Sequence, residues 1–125
     1  MKEEERLRPI DRMTRWISTG WIYALVDPGT GDIRYIGKTT DPYCRCHQHE
    51  NIDLCHKGNV ALMKWKRELH DRGVVPEFKI IAEITAASDW LLNGLLIASE
   101  QAIIEKLSSP KSGKRINNLL NVVVF

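Results

Sequence analysis

The stretch 21–39, WIYALVDPGTGDIRYIGKT, constrains the fold of this chain more than any other part of the sequence. Two short apolar runs flank DPGTG, whose proline and glycines are typical of a loop that joins two antiparallel strands. Tyr23 lies in the first run and Tyr35 in the second. Strand propensity explains either tyrosine taken singly, because aromatic residues are common in strands. The sequence therefore predicts a hairpin, and whether its tyrosines meet depends on how the strands pair.

The length of the hairpin loop decides that pairing. If the loop is 27–31, an odd count, Val26 pairs with Asp32 and Tyr23 lies directly opposite Tyr35 on one face of the sheet. A loop longer by one residue would put the two side chains on opposite faces. We expect the shorter loop, and therefore a tyrosine pair on one face.

Two helices are predicted after the hairpin from their capping residues. Asp41 and Pro42 supply an N-cap and a proline at the first helical position, for a helix that ends near Asn51. Asn59 caps a second helix, which Gly73 terminates. Leucine and tryptophan recur at helical spacing in this second segment, and lysine and arginine beside them predict a basic outer face.

One more strand and a long helix complete the pattern. The strand follows from the alternation of Phe78, Ile80, Ala82 and Ile84. The helix runs from Ser88 to about residue 107 and is apolar around much of its circumference, so we expect it to be buried centrally. Together the elements predict an α+β fold, in which helices flank a small antiparallel three-stranded sheet that begins with the hairpin.

Composition limits the class of protein. A chain of 125 residues suits one domain, which we place at 20–125 behind a charged arm or helix at 1–19. The formal net charge of +2 is weakly basic, so binding to nucleic acid would need a local basic face. Three cysteines and the opening MKEEER favour a reducing, cytoplasmic setting. The longest apolar stretch, WLLNGLLIA, is too short to span a bilayer, so we expect no membrane role.

Glu100 is a charged residue in an apolar part of the long helix. Its neighbours one turn away on either side are all apolar, namely Leu96, Ile97, Ile103 and Ile104. A carboxylate that emerges from such a surface needs a partner. A structural pair with an arginine, a metal ion, or a role in acid–base chemistry would each supply one.

These residues resemble the GIY-YIG nuclease family. WIY, eleven intervening residues and YIG are similar to the family's two defining motifs, with Trp21 in place of the first glycine and Gly37 closing the second. The similarity continues in order along the chain to residue 121. The positions that resemble the family's further site residues are Arg45, His49, His56, Glu100 and Asn121.

The resemblance implies a metal-dependent endonuclease that hydrolyses phosphodiester bonds. It implies that Glu100 holds one divalent ion, Mg²⁺ or Mn²⁺, that Arg45 grips the scissile phosphate and that Tyr23, helped by Tyr35, orients or deprotonates the attacking water. A free tyrosine, with a pKa near 10, is a poor base at neutral pH, so a neighbouring cation or base would have to assist it. Lys38 and His49 are the candidates.

DNA is the partner that the resemblance implies. The expected contacts to DNA are the basic side chains Lys38, Arg45, Lys57, Lys64, Lys66 and Arg67. Nothing in the sequence resembles an additional DNA-reading module, so a long recognition site would need a homodimer or a protein partner. The low net charge favours single-stranded or structured DNA, while duplex DNA remains open.

Two other readings stay open. A domain of the same fold could bind nucleic acid without cutting it. Alternatively, a zinc site could form from Cys44, Cys46, His47, His49, Cys55 and His56. Cys-x-Cys is tighter than the usual ligand spacing, and on the predicted helix Cys44 and Cys46 would point to different sides. The cysteines are then expected to be small buried apolar residues.

Overall fold

A computed structural model describes residues 17–51, 59–108 and 119–121 of the chain. Within these ranges the elements follow in the order β1 (Ser18–Val26), β2 (Ile33–Thr39), α1 (Pro42–Glu50), α2 (Val60–Asp71), β3 (Glu77–Ala86) and α3 (Asp89–Ser108). The three strands form one antiparallel sheet in the order β2-β1-β3. The predicted α+β class and its central three-stranded sheet are confirmed.

The predicted helix boundaries are confirmed by their caps. The carboxylate of Asp41 accepts a hydrogen bond from the backbone N–H of Cys44 at 3.0 Å, and Pro42 opens α1. In α2 the side chain of Asn59 accepts from the N–H of Leu62 at 2.9 Å. Gly73 follows that helix with a φ of 72°, a conformation that glycine adopts without steric cost. Short polar side chains thus fix where both helices begin.

The hairpin forms, but its register differs from the predicted one. Val26 pairs with Ile33, so the loop has one residue more than expected, and a bulge at Arg34 follows it. Tyr23 therefore lies opposite Gly37, and Tyr35 lies opposite Leu25. The predicted direct pairing of the tyrosines is wrong. Their predicted placement on one face is nevertheless confirmed, because the bulged residue restores the alternation that the longer loop would have reversed.

The sheet separates two hydrophobic clusters. One face of β1 packs against α3 through Ile22, Ala24 and Val26, and the other packs against α2 through Tyr23 and Leu25. The pairing of β3 with β1 shifts by one residue between Ile22 and Tyr23 of β1, which places a second bulge in β3. This bulge interrupts the predicted alternation. Phe78 therefore joins the cluster on the α2 side, whereas Ala82 and Ile84 join the cluster on the α3 side. The strand therefore contributes to both clusters.

The expectation that the long helix is centrally buried is wrong. Only one stripe of α3, formed by Leu92, Leu96 and Ile104, is buried against the sheet. Trp90 is 81% exposed and Leu91, Leu95 and Ile97 are also exposed. A helix that rests on one sheet buries a single stripe, and no other element of the described ranges covers its outer side. No helix in the described part of the chain is long and apolar enough to cross a membrane.

Gly20 lies where α3 approaches the sheet closely. A Cβ atom built on Gly20 would lie 2.6 Å from Cδ1 of Leu96, nearer than such atoms come in folded proteins. β1 begins at Ser18, so the expected domain boundary between residues 19 and 20 falls inside this strand. Residues 1–16, where the charged arm was expected, lie outside the described ranges.

Candidate active site

Tyr23 and His49 form the centre of the candidate site. The hydroxyl oxygen of Tyr23 lies 2.8 Å from Nε2 of His49, and each residue is only 2% exposed. β1 supplies the tyrosine, and the last turn of α1 supplies the histidine. The Tyr23 ring stacks on Phe78 of β3, with 4.6 Å between ring centroids. Strand pairing and stacking thus hold the phenol in a fixed orientation toward the imidazole.

Tyr35 lies at the edge of this pair. Its ring centroid is 6.3 Å from that of Tyr23 and 6.0 Å from that of His49. Tyr35 is partly exposed, whereas the other two are buried. The two tyrosines and the histidine therefore form one aromatic cluster on the α2 side of the sheet. The sequence motifs identified these three residues as site candidates but did not predict how they contact one another.

Gly37 makes room for the Tyr23 side chain. A Cβ atom built on Gly37 would overlap the phenol ring and its hydroxyl oxygen. Gly37 is the cross-strand partner of Tyr23, so the tyrosine ring extends over the position where another residue would carry its side chain. The third letter of the YIG motif is therefore a packing requirement of the tyrosine in the first motif.

Both tyrosines keep their hydroxyl protons at neutral pH. Burial, more than any neighbour, raises the pKa of Tyr23 far above its ordinary value; Tyr35 and Glu100 add to the rise and Arg45 opposes it. Burial also raises the pKa of Tyr35, followed by Glu100, with Arg45 again opposing. Spontaneous ionisation of Tyr23 is thus disfavoured, and a group that removed its proton would have to contact the hydroxyl directly. His49 is in position to do so.

The charges of Arg45 and Glu100, which lie on different helices, both affect the aromatic cluster. Arg45 of α1 and Glu100 of α3 both act on the pKa of Tyr23 and of Tyr35. Both side chains are partly exposed. The site therefore combines a buried phenol–imidazole pair with a cation and an anion at its accessible margin.

Glu100 has the surroundings that its sequence neighbours predicted. Burial raises the pKa of its carboxyl group, and the positive charge of Lys38 opposes this rise. Among the described residues the Glu100 carboxylate has no ion pair within 4.0 Å and no hydrogen bond, so the alternative of a structural pair with an arginine finds no support there. A half-buried carboxylate that makes no hydrogen bond or ion pair with the described residues fits a hydrated divalent ion, which usually takes one or two carboxylates and keeps its waters.

Lys38 lies on the other side of the sheet from the tyrosines. It pairs with Ile22, whose side chain belongs to the α3 cluster, and its charge acts on Glu100. Of the two candidates to assist Tyr23, the structure therefore brings His49 into hydrogen-bond contact with the phenol and places Lys38 near the carboxylate instead.

Asn121 forms structural contacts with the edge strand. Its Oδ1 accepts the N–H of Ile36 at 2.8 Å, and its Nδ2 donates to the carbonyl of the same residue at 2.7 Å. The N–H of Leu120 donates to the carbonyl of Arg34 at 2.6 Å. The amide of Asn121 thus pairs with β2 as another strand would. A part in catalysis, as the resemblance implied, stays a prediction.

The predicted basic surface is only partly present. Lys64 and Arg67 are exposed on α2, but Lys66 is 3% exposed, so its expected role as a contact to DNA is wrong. Leu62 and Leu69 lie one turn from it on either side, and this apolar setting turns Lys66 inward. The same neighbour comparison that identified Glu100 would have found Lys66 in the sequence. Lys57 lies outside the described residues.

Cys44 and Cys46 are not the small buried residues that were expected. Cys44 is exposed, and the partly exposed thiol of Cys46 donates to a carboxylate oxygen of Glu50 at 3.4 Å. Among the described residues, no three potential ligands come together around a common point. Cys55 and His56, which the zinc site would need, lie outside the described residues. The expected role of His56 in the active site therefore stays a prediction.

Comparison with known proteins adds no assignment to this geometry. No family model, curated protein or solved structure matches the chain.

Proposed function

We propose that this chain is a divalent-metal-dependent endonuclease of the GIY-YIG type, which hydrolyses phosphodiester bonds in DNA. The observation that carries the proposal is the 2.8 Å contact between the Tyr23 hydroxyl and Nε2 of His49, inside a site that Arg45 and Glu100 both influence. A phenol, an imidazole, a guanidinium and a lone carboxylate are the groups that phosphodiester hydrolysis requires: a path for the proton of water, a contact for the phosphate and a ligand for a cation.

The proton moves in two linked steps in this proposal. An attacking water loses a proton to the Tyr23 oxygen, while the Tyr23 hydroxyl proton passes to Nε2 of His49. The resulting hydroxide forms the new P–O bond, and the bond from phosphorus to the leaving 3′ oxygen breaks. Because Tyr23 never carries a full negative charge, its raised pKa does not prevent the reaction. A neutral His49 is the condition for this route.

Arg45 and Glu100 serve the phosphate. Arg45 presents a planar guanidinium that matches two phosphate oxygens, and its partial exposure leaves it open to a substrate. Glu100 would hold one Mg²⁺ or Mn²⁺, which when bound supplies positive charge to the developing phosphorane and the leaving oxygen. Burial raises the pKa of Glu100, and the positive charge of Lys38 opposes this rise and so favours the ionised form that binds a cation.

The charge pattern supports a substrate that does not need a strong hold. On α2 the exposed cations Lys64 and Arg67 stand beside the exposed acids Glu68 and Asp71, so this surface attracts phosphates only weakly. Single-stranded or structured DNA, whose unpaired segments can bend into a site, is therefore the favoured substrate class.

A cleavage assay tests the proposal. Purified protein with Mg²⁺ or Mn²⁺ is incubated with single-stranded, duplex and forked DNA of one sequence. Glu100→Gln should lose activity by at least about 100-fold, because it removes the charged ligand that this proposal assigns to the cation. Glu105→Gln is the matched control, because Glu105 is exposed and lies five positions further along the same helix. This variant should cleave DNA like the parent.

Two results would overturn the proposal. One is full activity of Glu100→Gln. The other is an absence of cleavage of all three DNAs by the parent, which together with retention of DNA in a gel would identify a binding module without nuclease activity.

A further inference from the structure

Residues 119–121, which we call the edge segment, lie along the outer edge of β2 and have a second anchor outside the sheet. The backbone N–H of Leu120 donates to the carbonyl oxygen of Arg34 in β2 at 2.6 Å. The carbonyl oxygen of Leu120 accepts a hydrogen bond from Nδ2 of Asn59 at 2.9 Å. Both backbone polar groups of Leu120 are therefore bonded, one to the sheet and one to the residue that precedes α2.

Asn59 uses both ends of its side-chain amide. Its Oδ1 accepts the N–H of Leu62 at 2.9 Å and so caps α2, while its Nδ2 holds the edge segment. An aspartate caps a helix as well as an asparagine does, but an ionised carboxylate has no hydrogen to donate. The contact with Leu120, and not the cap, therefore requires an amide at this position.

The edge segment in turn holds the peptide units on both sides of Ile36. Asn121 accepts the N–H of Ile36 at 2.8 Å and donates to its carbonyl oxygen at 2.7 Å. That N–H belongs to the peptide bond with Tyr35, and that carbonyl belongs to the peptide bond with Gly37. Asn121 thus fixes the backbone next to one tyrosine of the site and next to the glycine that makes room for the ring of Tyr23.

Few contacts hold the edge segment, so the loss of one of them should be felt in the others. Leu119 packs against the cluster on the α3 side, and Leu120 packs against the α2 cluster, which includes Tyr23. Both leucines are only partly buried. Ordering the backbone of each residue costs conformational entropy, which these contacts and the hydrogen bonds of the segment have to offset. Removal of the bond from Asn59 should therefore weaken the hold of the whole segment on β2.

We propose that Asn59 is a positioning residue of the tyrosine cluster. It anchors the edge segment, and the edge segment holds Tyr35 and Gly37 where the contact between Tyr23 and His49 requires them. Asn59 acts through Leu120 and Asn121 and is not itself a catalytic residue. The inference rests on the proposed function only where it concerns cleavage of DNA.

Two substitutions in the full-length protein separate the anchor from the cap. Asn59→Asp keeps an acceptor for α2 and loses the donor at neutral pH, and Asn59→Ser keeps a cap with a shorter, uncharged side chain. Asn93→Asp, at an exposed position of α3, adds the same charge and is the matched control. Amide hydrogen exchange of Leu120 and Ile36, followed by NMR, measures the hold of the edge segment. The ring resonances of Tyr23 and Tyr35, identified by their loss in the phenylalanine variants, report on the cluster.

The two Asn59 variants should change the edge segment and the site together. The amides of Leu120 and Ile36 should exchange about 3- to 10-fold faster, which is the effect of losing one hydrogen bond. The ring resonances of both tyrosines should shift, and kcat should fall about tenfold with KM unchanged, because the reacting groups are displaced while no contact to DNA is removed. The amides of α2 should keep their protection, and Asn93→Asp should behave like the parent in every measurement.

Acid provides a rescue that loss of the cap could not explain. Below pH about 4 the carboxyl group introduced by Asn59→Asp is protonated, so one oxygen can accept from Leu62 while the other donates to Leu120. In this variant the tyrosine resonances should return toward those of the parent at the same pH. In Asn59→Ser they should stay shifted, since nothing restores the donor.

Several outcomes would overturn the role of Asn59. One is unchanged exchange of Leu120 and Ile36 in a folded Asn59→Ser, which decides the matter even if Asn59→Asp fails to fold. Another is faster exchange with unchanged tyrosine resonances and unchanged kcat, which would make the edge segment a structural element alone. If the parent cleaves no DNA but the tyrosine resonances still shift in both variants, the proposed function fails while the positioning of the tyrosines by Asn59 is retained.

Discussion

Replacement of Gly37 by alanine tests the geometry of the site most directly. The new Cβ atom would lie 2.7 Å from Cε1 of Tyr23 and nearer still to two other atoms of the phenol, whereas ordinary contacts begin at 3.4 Å. The ring would have to move by about 1 Å to relieve this overlap. A movement of that size lengthens the 2.8 Å contact with His49 beyond the range of a hydrogen bond.

The cost in stability follows from the same overlap. Forcing one extra methyl group into a packed site costs about 1–3 kcal/mol, and alanine recovers about 0.5–1 kcal/mol relative to glycine within a strand. We therefore expect Gly37→Ala to lower the free energy of unfolding by about 1–2 kcal/mol and Tm by about 5–10 °C. Cleavage should fall about 100-fold, because an error of 1 Å in the position of a reacting group has roughly that effect.

Thermal unfolding by circular dichroism and the cleavage assay measure the two effects. Gly94→Ala is the matched control: Gly94 lies in α3 with open space around its Cβ position, so alanine should raise stability by up to about 1 kcal/mol and leave cleavage unchanged. Gly37→Ala should also cost less stability when combined with Tyr23→Phe, which removes one of the overlapping atoms. Equal costs in both backgrounds, or a Tm like that of the parent, would refute the reasoning.

Three further predictions follow from the contacts of the site. The folded state raises the pKa of Glu100, so its carboxyl group stabilises the protein most at acidic pH and loses this contribution as the pH rises through the raised pKa. Without metal, Glu100→Gln should therefore raise Tm at pH 8 and not at pH 4. Thermal melts at the two pH values measure this difference. Asn121→Ala deletes two hydrogen bonds to Ile36 and should lower the free energy of unfolding in urea by about 1–3 kcal/mol, whereas an unchanged midpoint would contradict the pairing with β2. Arg45→Lys keeps the charge but not the planar fork, and cleavage should fall at least about tenfold with Tm unaffected.

The capping residues show what the sequence determines locally. Asp41 and Asn59 bond to backbone groups three residues ahead, and these contacts depend only on the local chain. The element boundaries could therefore be predicted well. The extent of burial of α3 could not be predicted, because it depends on how much of the helix the rest of the protein covers. The apolar residues of α3 are distributed almost evenly around the helix, so the sequence does not indicate which side is buried.

Within the site, the identity of the residues was more predictable than their partners. The motifs identified Tyr23, Tyr35 and His49, but not that His49, rather than Lys38, contacts the phenol. Lys38 and Tyr23 lie on opposite faces of the sheet because strand side chains alternate, and a prediction of faces needs the register. Lys66 was misplaced for a different reason, since a lysine among basic neighbours was assigned to the surface without regard to the leucines one turn away.

The bulge at Arg34 explains why a wrong register still gave the right face. With Val26 opposite Ile33 and regular pairing, Tyr35 would lie opposite Ala24 and point toward α3, away from Tyr23. The extra residue shifts the pairing by one, so that Tyr35 lies opposite Leu25 and shares its face. Arg34 itself is held near α2, with its guanidinium carbon 5.3 Å from the centroid of the Trp65 ring. The common face of the two tyrosines therefore depends on this bulge, and not on an odd number of residues in the loop.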